Sequence, residues 1–137
     1  MENLERFLKA QHKSYKNALS EIKSGEKINH WMWYIFPQIK GLGKSETSNY
    51  YAIVDKWEAK RYLNHPILGK RLIEISTELL KHEGKSAREI FGYPDDLKLH
   101  SSITLFSILP HSDPVFNKVL AAFFDNLPDK KTLEFSK

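Results

Sequence analysis

Apolar residues recur at steps of three and four along most of the chain, and this spacing predicts helices. Leu4, Phe7, Leu8, Gln11, Tyr15, Ala18, Leu19 and Ile22 form one helical stripe. Glu5, Lys9, Lys13, Lys16 and Lys23 fall mostly on the opposite side, and Gly25 follows where a left-handed cap would sit. The pattern predicts a helix over 3–24. Residues 30–36 form a short second helix with Asn29 as its cap. Pro37 stops it, because a residue before proline avoids the α region. The stretch QIKGLGKSETS is rich in turn formers and reads as a loop.

Downstream, Asp55 and Glu58 have the spacing of a capping box. They open a helix carrying Trp57, Tyr62 and Leu63 that ends near Asn64. Pro66 starts the next helix, and Ile67, Leu68, Leu72, Ile75, Leu79 and Leu80 continue its periodicity as far as Gly84. Ser86 and Glu89 form a second capping box, for a short helix closed by Gly92. From Pro94 onward, Leu97, Ser101, Leu105 and Ile108 share one face, while Leu99, Ile103 and Phe106 share another. A helix apolar on two faces is a central, buried one. The segment SITLFSIL has strand propensity, but there is no partner strand and its neighbours are helical. Asp113-Pro114 opens a further apolar helix, and Asp129 caps a last turn. The predicted fold is all-α: a compact single-domain bundle of six to eight helices over 1–137, without a significant sheet.

Composition narrows the function classes. A chain of 137 residues with 41% hydrophobic and 28% charged residues suits one soluble domain. The absence of cysteine excludes disulfides, thiolate metal sites and cysteine nucleophiles, and fits an expected cytoplasmic location. No apolar run approaches the roughly 20 residues of a membrane span, so no membrane partner is expected. The formal charge of +4 is spread along the chain in short runs, which favours a small anionic ligand over a nucleic-acid arm. The histidines lack metal-ligand spacing, and neither metal nor cofactor is expected.

The candidate chemistry gathers around HWMWYIFPQIKGLGKS, residues 30–45. GLGKS invites comparison with a phosphate loop. The position five before Gly43 is Gln38, however, where that motif requires glycine, and the segment before it is a proline-ended helix. Gly41 and Gly43 keep their freedom of backbone shape. Lys44 can supply a counter-charge and Ser45 and Ser48 hydroxyl donors. Helical spacing puts Trp31 with Tyr34 or Ile35, and Trp33 with Phe36. Either both sides of this helix are buried, with the Trp and Tyr polar groups finding internal partners, or one side lines a pocket wall, to which Tyr50, Tyr51 and Trp57 would add. His30 is the histidine best placed to contribute. Gln11 is either a satisfied core amide or an amide aimed at a ligand. Lys98, Ser101 and Ser102 bring a cation and two hydroxyls to the start of the central helix, unless the serines bond back to its carbonyls.

Four strings, FLKAQHKSYKNALSEIKSGEK, HWMWYIFPQIKGLGKSETSNYYAI, EAKRYLNHPILGKRL and FGYPDDLKLHSSITLF, resemble in order and spacing the family known as domain of unknown function 1810. Some of its members carry the label calpastatin. That label fits poorly, because a calpastatin-type inhibitor is a long disordered chain whereas this one is apolar and capped throughout. The resemblance spans roughly residues 4–127 and implies a small helical fold with no established activity. It marks Gln11, His30, Trp31, Trp33, Gln38, Gly41, Gly43, Ser45, Tyr51, Lys98, Ser101 and Ser102, and attaches a catalytic role to none of them. A weaker likeness to the NADAR family touches Lys9–Lys13. It would imply a nucleotide-sugar substrate cleaved at an N-glycosidic carbon, without an acid or base to carry over. The expectation is therefore a pocket for an anionic or nucleotide-like small molecule, ADP-ribose among the possibilities. The competing expectation is a protein-interaction or regulatory module without catalysis.

Overall fold

The computed structural model describes residues 4–137. Nine helices are present among the described residues: α1 (Glu5–Ser24), α2 (Met32–Ile35), α3 (Glu46–Tyr50), α4 (Lys56–Asn64), α5 (Leu68–Leu80), α6 (Ala87–Phe91), α7 (Asp95–Ser107), α8 (Val115–Phe123) and α9 (Lys130–Phe135). There is no strand among them, only the single-residue bridges Ile39–Ile53 and Glu83–Lys85. The fold is all-α. No helix among the described residues is long and apolar enough to cross a membrane.

Most boundaries follow from local chemistry. Gly25 ends α1 in the left-handed region at φ 85°, and its N–H bonds back to the last turn. The Asp55 carboxylate accepts from the Glu58 N–H at the start of α4. The expected reciprocal bond is not made, because the Glu58 carboxylate turns inward. At Ser86 both halves of the capping box form, with Glu89 accepting from the Ser86 N–H. His65 Nδ1 accepts from the Ile67 and Leu68 N–H groups and caps α5. Asp129 accepts from the Thr132 N–H and caps α9.

Two expectations change. The helix expected over 30–36 contracts to Met32–Ile35, and Asn29 does not cap it. Both the backbone N–H and the side-chain amide of Asn29 are taken by Glu21. Within the stretch expected to be all loop, Ser45 caps the five-residue α3 through the Ser48 N–H. This adds the ninth helix.

The buried apolar side chains form one cluster. α7 lies in its middle, packed on α2, α4, α6, α8 and α9, and residues 101–106 are all buried. Its ends are less covered than the two-faced pattern implied, with Leu97 51% and Ile108 38% exposed. α5 completes the layer against α1, α4 and α8. The turn from α4 into α5 depends on Gly69. A Cβ there would lie 1.8 Å from the Leu63 carbonyl oxygen, a backbone contact that no rotamer change relieves. Gly69→Ala should therefore destabilise the fold by at least about 1–3 kcal/mol, measured as a lower urea midpoint. A variant as stable as the parent would show that the two helices are not so closely apposed.

Candidate functional site

The segment expected to carry the site, residues 30–45, lies within a stretch, 28–53, held in place by three polar clamps. The first is the Glu21 carboxylate, near the end of α1. It accepts from the Ile28 N–H (2.6 Å), the Asn29 N–H (3.0 Å), Asn29 Nδ2 (2.7 Å) and Trp31 Nε1 (2.9 Å). Burial works against its charge, but the bonds from Asn29, Ile28 and Trp31 outweigh it and hold the carboxyl below its ordinary range. The second clamp is Gln11. Its Nε2 donates to the Tyr34 carbonyl (2.8 Å) and to Tyr62 Oη (2.9 Å), and its Oε1 accepts from Arg71 Nη1 (3.3 Å). Burial of Tyr62 pushes its hydroxyl up, so it stays protonated. The third is Arg6, which meets Glu58 through both guanidinium nitrogens (3.1 and 3.3 Å) and also donates to the Tyr50 and Ala52 carbonyls.

These clamps decide which side of the aromatic segment is core. Trp31 is 1% exposed and packs against Phe36 and Phe91. Met32, Ile35 and Phe36 are buried with it. Helical spacing had paired Trp33 with Phe36, but a four-residue helix cannot sustain that periodicity. Trp33 and Tyr34 instead lie half-buried on the outer side. Tyr34 donates to Ser14 Oγ and meets the Tyr51 ring at 5.2 Å.

The chain then folds back on itself. The Ile53 N–H donates to the Gln38 carbonyl, and the Lys40 N–H to the Ile53 carbonyl, each at 2.8 Å. This closes residues 38–53 into a compact loop. Gly43 permits its tightest approach, since a Cβ there would fall 2.4 Å from Ser48 Cβ. Gly41, at φ 105°, turns beside the Phe135 ring of α9.

Three segments meet at this loop. Gln38, Leu42 and Gly43 form one wall of a cavity of about 290 Å³. Pro94, Leu97, Lys98, His100 and Ser101, from the start of α7, form the second, and Asp129 and Lys131 the third. Lys98 Nζ sits 5.2 Å from the centre of the Trp33 ring, a cation–π arrangement. It also lies 3.7 Å from Asp95. Asp129 Oδ2 accepts from Ser101 Oγ (3.2 Å), from Thr132 Oγ1 (2.6 Å) and from the Thr132 N–H (3.1 Å), while the Asp129 N–H donates to Thr104 Oγ1. A crevice of about 10 Å³, wide enough for one water, continues between Trp33, Gln38, Gly43, Ser48 and Tyr51.

Of the residues marked from sequence, Gln38, Gly43, Lys98 and Ser101 therefore converge on the cavity, with Trp33 and Tyr51 on the adjoining crevice. Gln11 and Trp31 are structural clamps. Ser45 is a helix cap. Ser102 is fully buried in α7, with a hydroxyl that has no partner. His30, Gly41 and Lys44 are exposed and do not line the cavity. Trp57 is 65% exposed on another face, lining a separate concavity, and does not extend the aromatic wall.

Sequence reasoning assigned Asp129 only a capping role and missed Lys131 and His100. Their chemistry is ordinary in sequence, and only the packing of α9 on α7 brings Asp129 and Lys131 to the loop. Two lysines, Lys98 and Lys131, and one carboxylate, Asp129, line the cavity, with Asp95 beside Lys98. The one Ser101 hydroxyl proton lies between Asp129 and the Leu97 carbonyl, while His100 Nε2 engages the Leu127 carbonyl at 2.6 Å and its ring stacks on Phe124. Among the described residues no cluster of metal-ligating side chains occurs.

An all-helical bundle with a polar cavity at a clamped aromatic loop is the class of protein this geometry defines. The profile of a family described as a protein of unknown function, DUF1810, matches residues 1–135, and the chain belongs to that family. The crystal structure of the conserved hypothetical protein Rv1873 from Mycobacterium tuberculosis is similar to it, with a TM-score of 0.93 at 41% identity. The match covers 96% of this chain and 94% of that one. No curated protein matches the chain.

The Glu21 clamp carries a pH signature. Its carboxyl is held below the unfolded value of about 4.3. Its stabilisation is therefore present above that pH and lost as pH falls through the lower folded value. Glu21→Gln should cost about 1–3 kcal/mol at pH 7. In urea melts the gap to the parent should narrow as pH is lowered below 4. A gap independent of pH would show that the four bonds do not depend on the charge.

Proposed function

We propose that the cavity between the Gln38–Gly43 loop, the start of α7 and the start of α9 binds a small anionic metabolite of the phosphate-ester class, such as a sugar phosphate or a mononucleotide. The observation that carries this reading is the convergence of Gln38, Gly43, Lys98 and Ser101 from distant parts of the chain, joined by Lys131. The volume of about 290 Å³ is at the lower end of small-molecule sites. It suits a monophosphate better than the whole of an ADP-ribose-sized ligand.

Lys98 is the main counter-charge in this reading. Its placement over Trp33 and beside Asp95 restricts the ammonium group before a ligand arrives, which lowers the ordering cost of binding. Ser101 and Gln38 supply neutral polar groups, and Leu42 and Leu97 cover the apolar part of the ligand. Lys44, which sequence made the counter-charge, has no part in this reading.

Calorimetric titration with ribose 5-phosphate, AMP and inorganic phosphate tests the reading. Lys98→Ala should weaken binding of the best of these about 10- to 100-fold, the range for a charged hydrogen bond. Lys44→Ala, outside the cavity, should leave it unchanged. Equal losses from both variants, or no binding of any of the three by the parent, would overturn the proposal.

A further inference from the structure

A second concavity lies apart from that cavity and shares no residue with it. Lys56, Trp57 and Lys60 of α4 form one side, and Ile108, Leu109 and Pro110, where α7 ends, form the other, enclosing about 430 Å³. Trp57 is 65% exposed although it is the kind of side chain a fold normally covers. Lys60 Nζ stands 6.0 Å from the centre of its ring. Ile108 opposite is 38% exposed.

The charge of this face is one-sided. Lys56 and Lys60 are one helical turn apart on the same side of α4. Of the two acids of that stretch, only Asp55 is exposed beside them. Asp55 caps the helix through the Glu58 N–H, and Glu58 is fully buried against Arg6. An exposed tryptophan beside an apolar floor, flanked by two lysines, has the composition of an interface anchor.

We infer that this concavity docks an acidic segment of a partner protein, with one apolar side chain seated between Trp57 and Ile108–Pro110 and carboxylates meeting Lys56 and Lys60. Charge complementarity selects this occupant. A second copy related by two-fold symmetry would bring the same lysine-bearing patch against itself. A flat lipid surface would leave the notch unfilled.

The test is a titration of the full chain, followed by tryptophan fluorescence, with short glutamate-rich peptides carrying a single Leu or Phe. Matched peptides without the apolar residue, or with lysine in place of glutamate, serve as comparisons. The acidic, anchored peptides should bind most tightly, and less so as salt is raised. Trp57→Ala, at an exposed site that leaves the core intact, and the Lys56→Glu/Lys60→Glu double variant should each weaken binding about tenfold or more. Unchanged circular dichroism would confirm that both variants fold. Anchored acidic peptides binding no better than the comparison peptides would overturn the inference. So would Trp57-dependent dimerisation in light scattering, or Trp57-dependent uptake by anionic vesicles without peptide binding.

Discussion

Everything distinctive about this chain follows from where one carboxylate sits. Glu21 lies near the end of the longest helix, where helical periodicity alone would leave an acid in solvent. It is instead buried and accepts four hydrogen bonds from the ten residues that follow. Those bonds hold the Asn29 backbone and side-chain amide against Glu21 rather than at the start of a helix, and they fix the indole of Trp31 in the core. The aromatic segment thus enters the bundle with one face already committed. Gln11 and Arg6 act further along the same segment, on the Tyr34 carbonyl and on the Tyr50 and Ala52 carbonyls. A charged or amide side chain that gathers backbone groups is worth more than a surface pair, because its loss leaves several buried groups unpaired at once.

This commitment creates the cavity. With Trp31 and Phe36 inside, Trp33 faces outward and Lys98 can lie over its ring. With Ile53 paired to Gln38 and Lys40, the glycine loop is drawn against α7 and α9 rather than extended into solvent. The cavity wall is therefore made of short pieces held by hydrogen bonds between loop, α7 and α9 residues.

The helices were largely legible in the sequence because their signals are local. Gly25, Asp55, His65, Ser86 and Asp129 each act within a few residues of themselves, as capping chemistry requires. The choice of helix over strand for SITLFSIL also held, since most of it lies in α7. What could not be read was the fate of polar residues in long-range bonds. Gln11 sat on an apolar stripe and proved to be a core amide. Glu21 and Arg6 carried no signal in the sequence and are buried. Trp33 and Phe36 were paired by a periodicity that a four-residue helix cannot maintain. Of the ten residues that line the cavity, Gln38, Gly43, Lys98 and Ser101 were marked from sequence. Asp129 and Lys131 were not, because nothing local links residues 129–131 to residues 38–43. The family assignment adds the fold of a similar solved protein, and the site rests on the geometry alone.

The most direct measurement of the central claim is a map of amide chemical shifts in a ¹⁵N spectrum of the full chain as ribose 5-phosphate is added. The account predicts that the largest changes fall together on residues 38–43, 94–101 and 129–131, the three walls of one cavity. Changes concentrated elsewhere, on the α1 face around Lys9 and Lys13 or near Trp57, would contradict it.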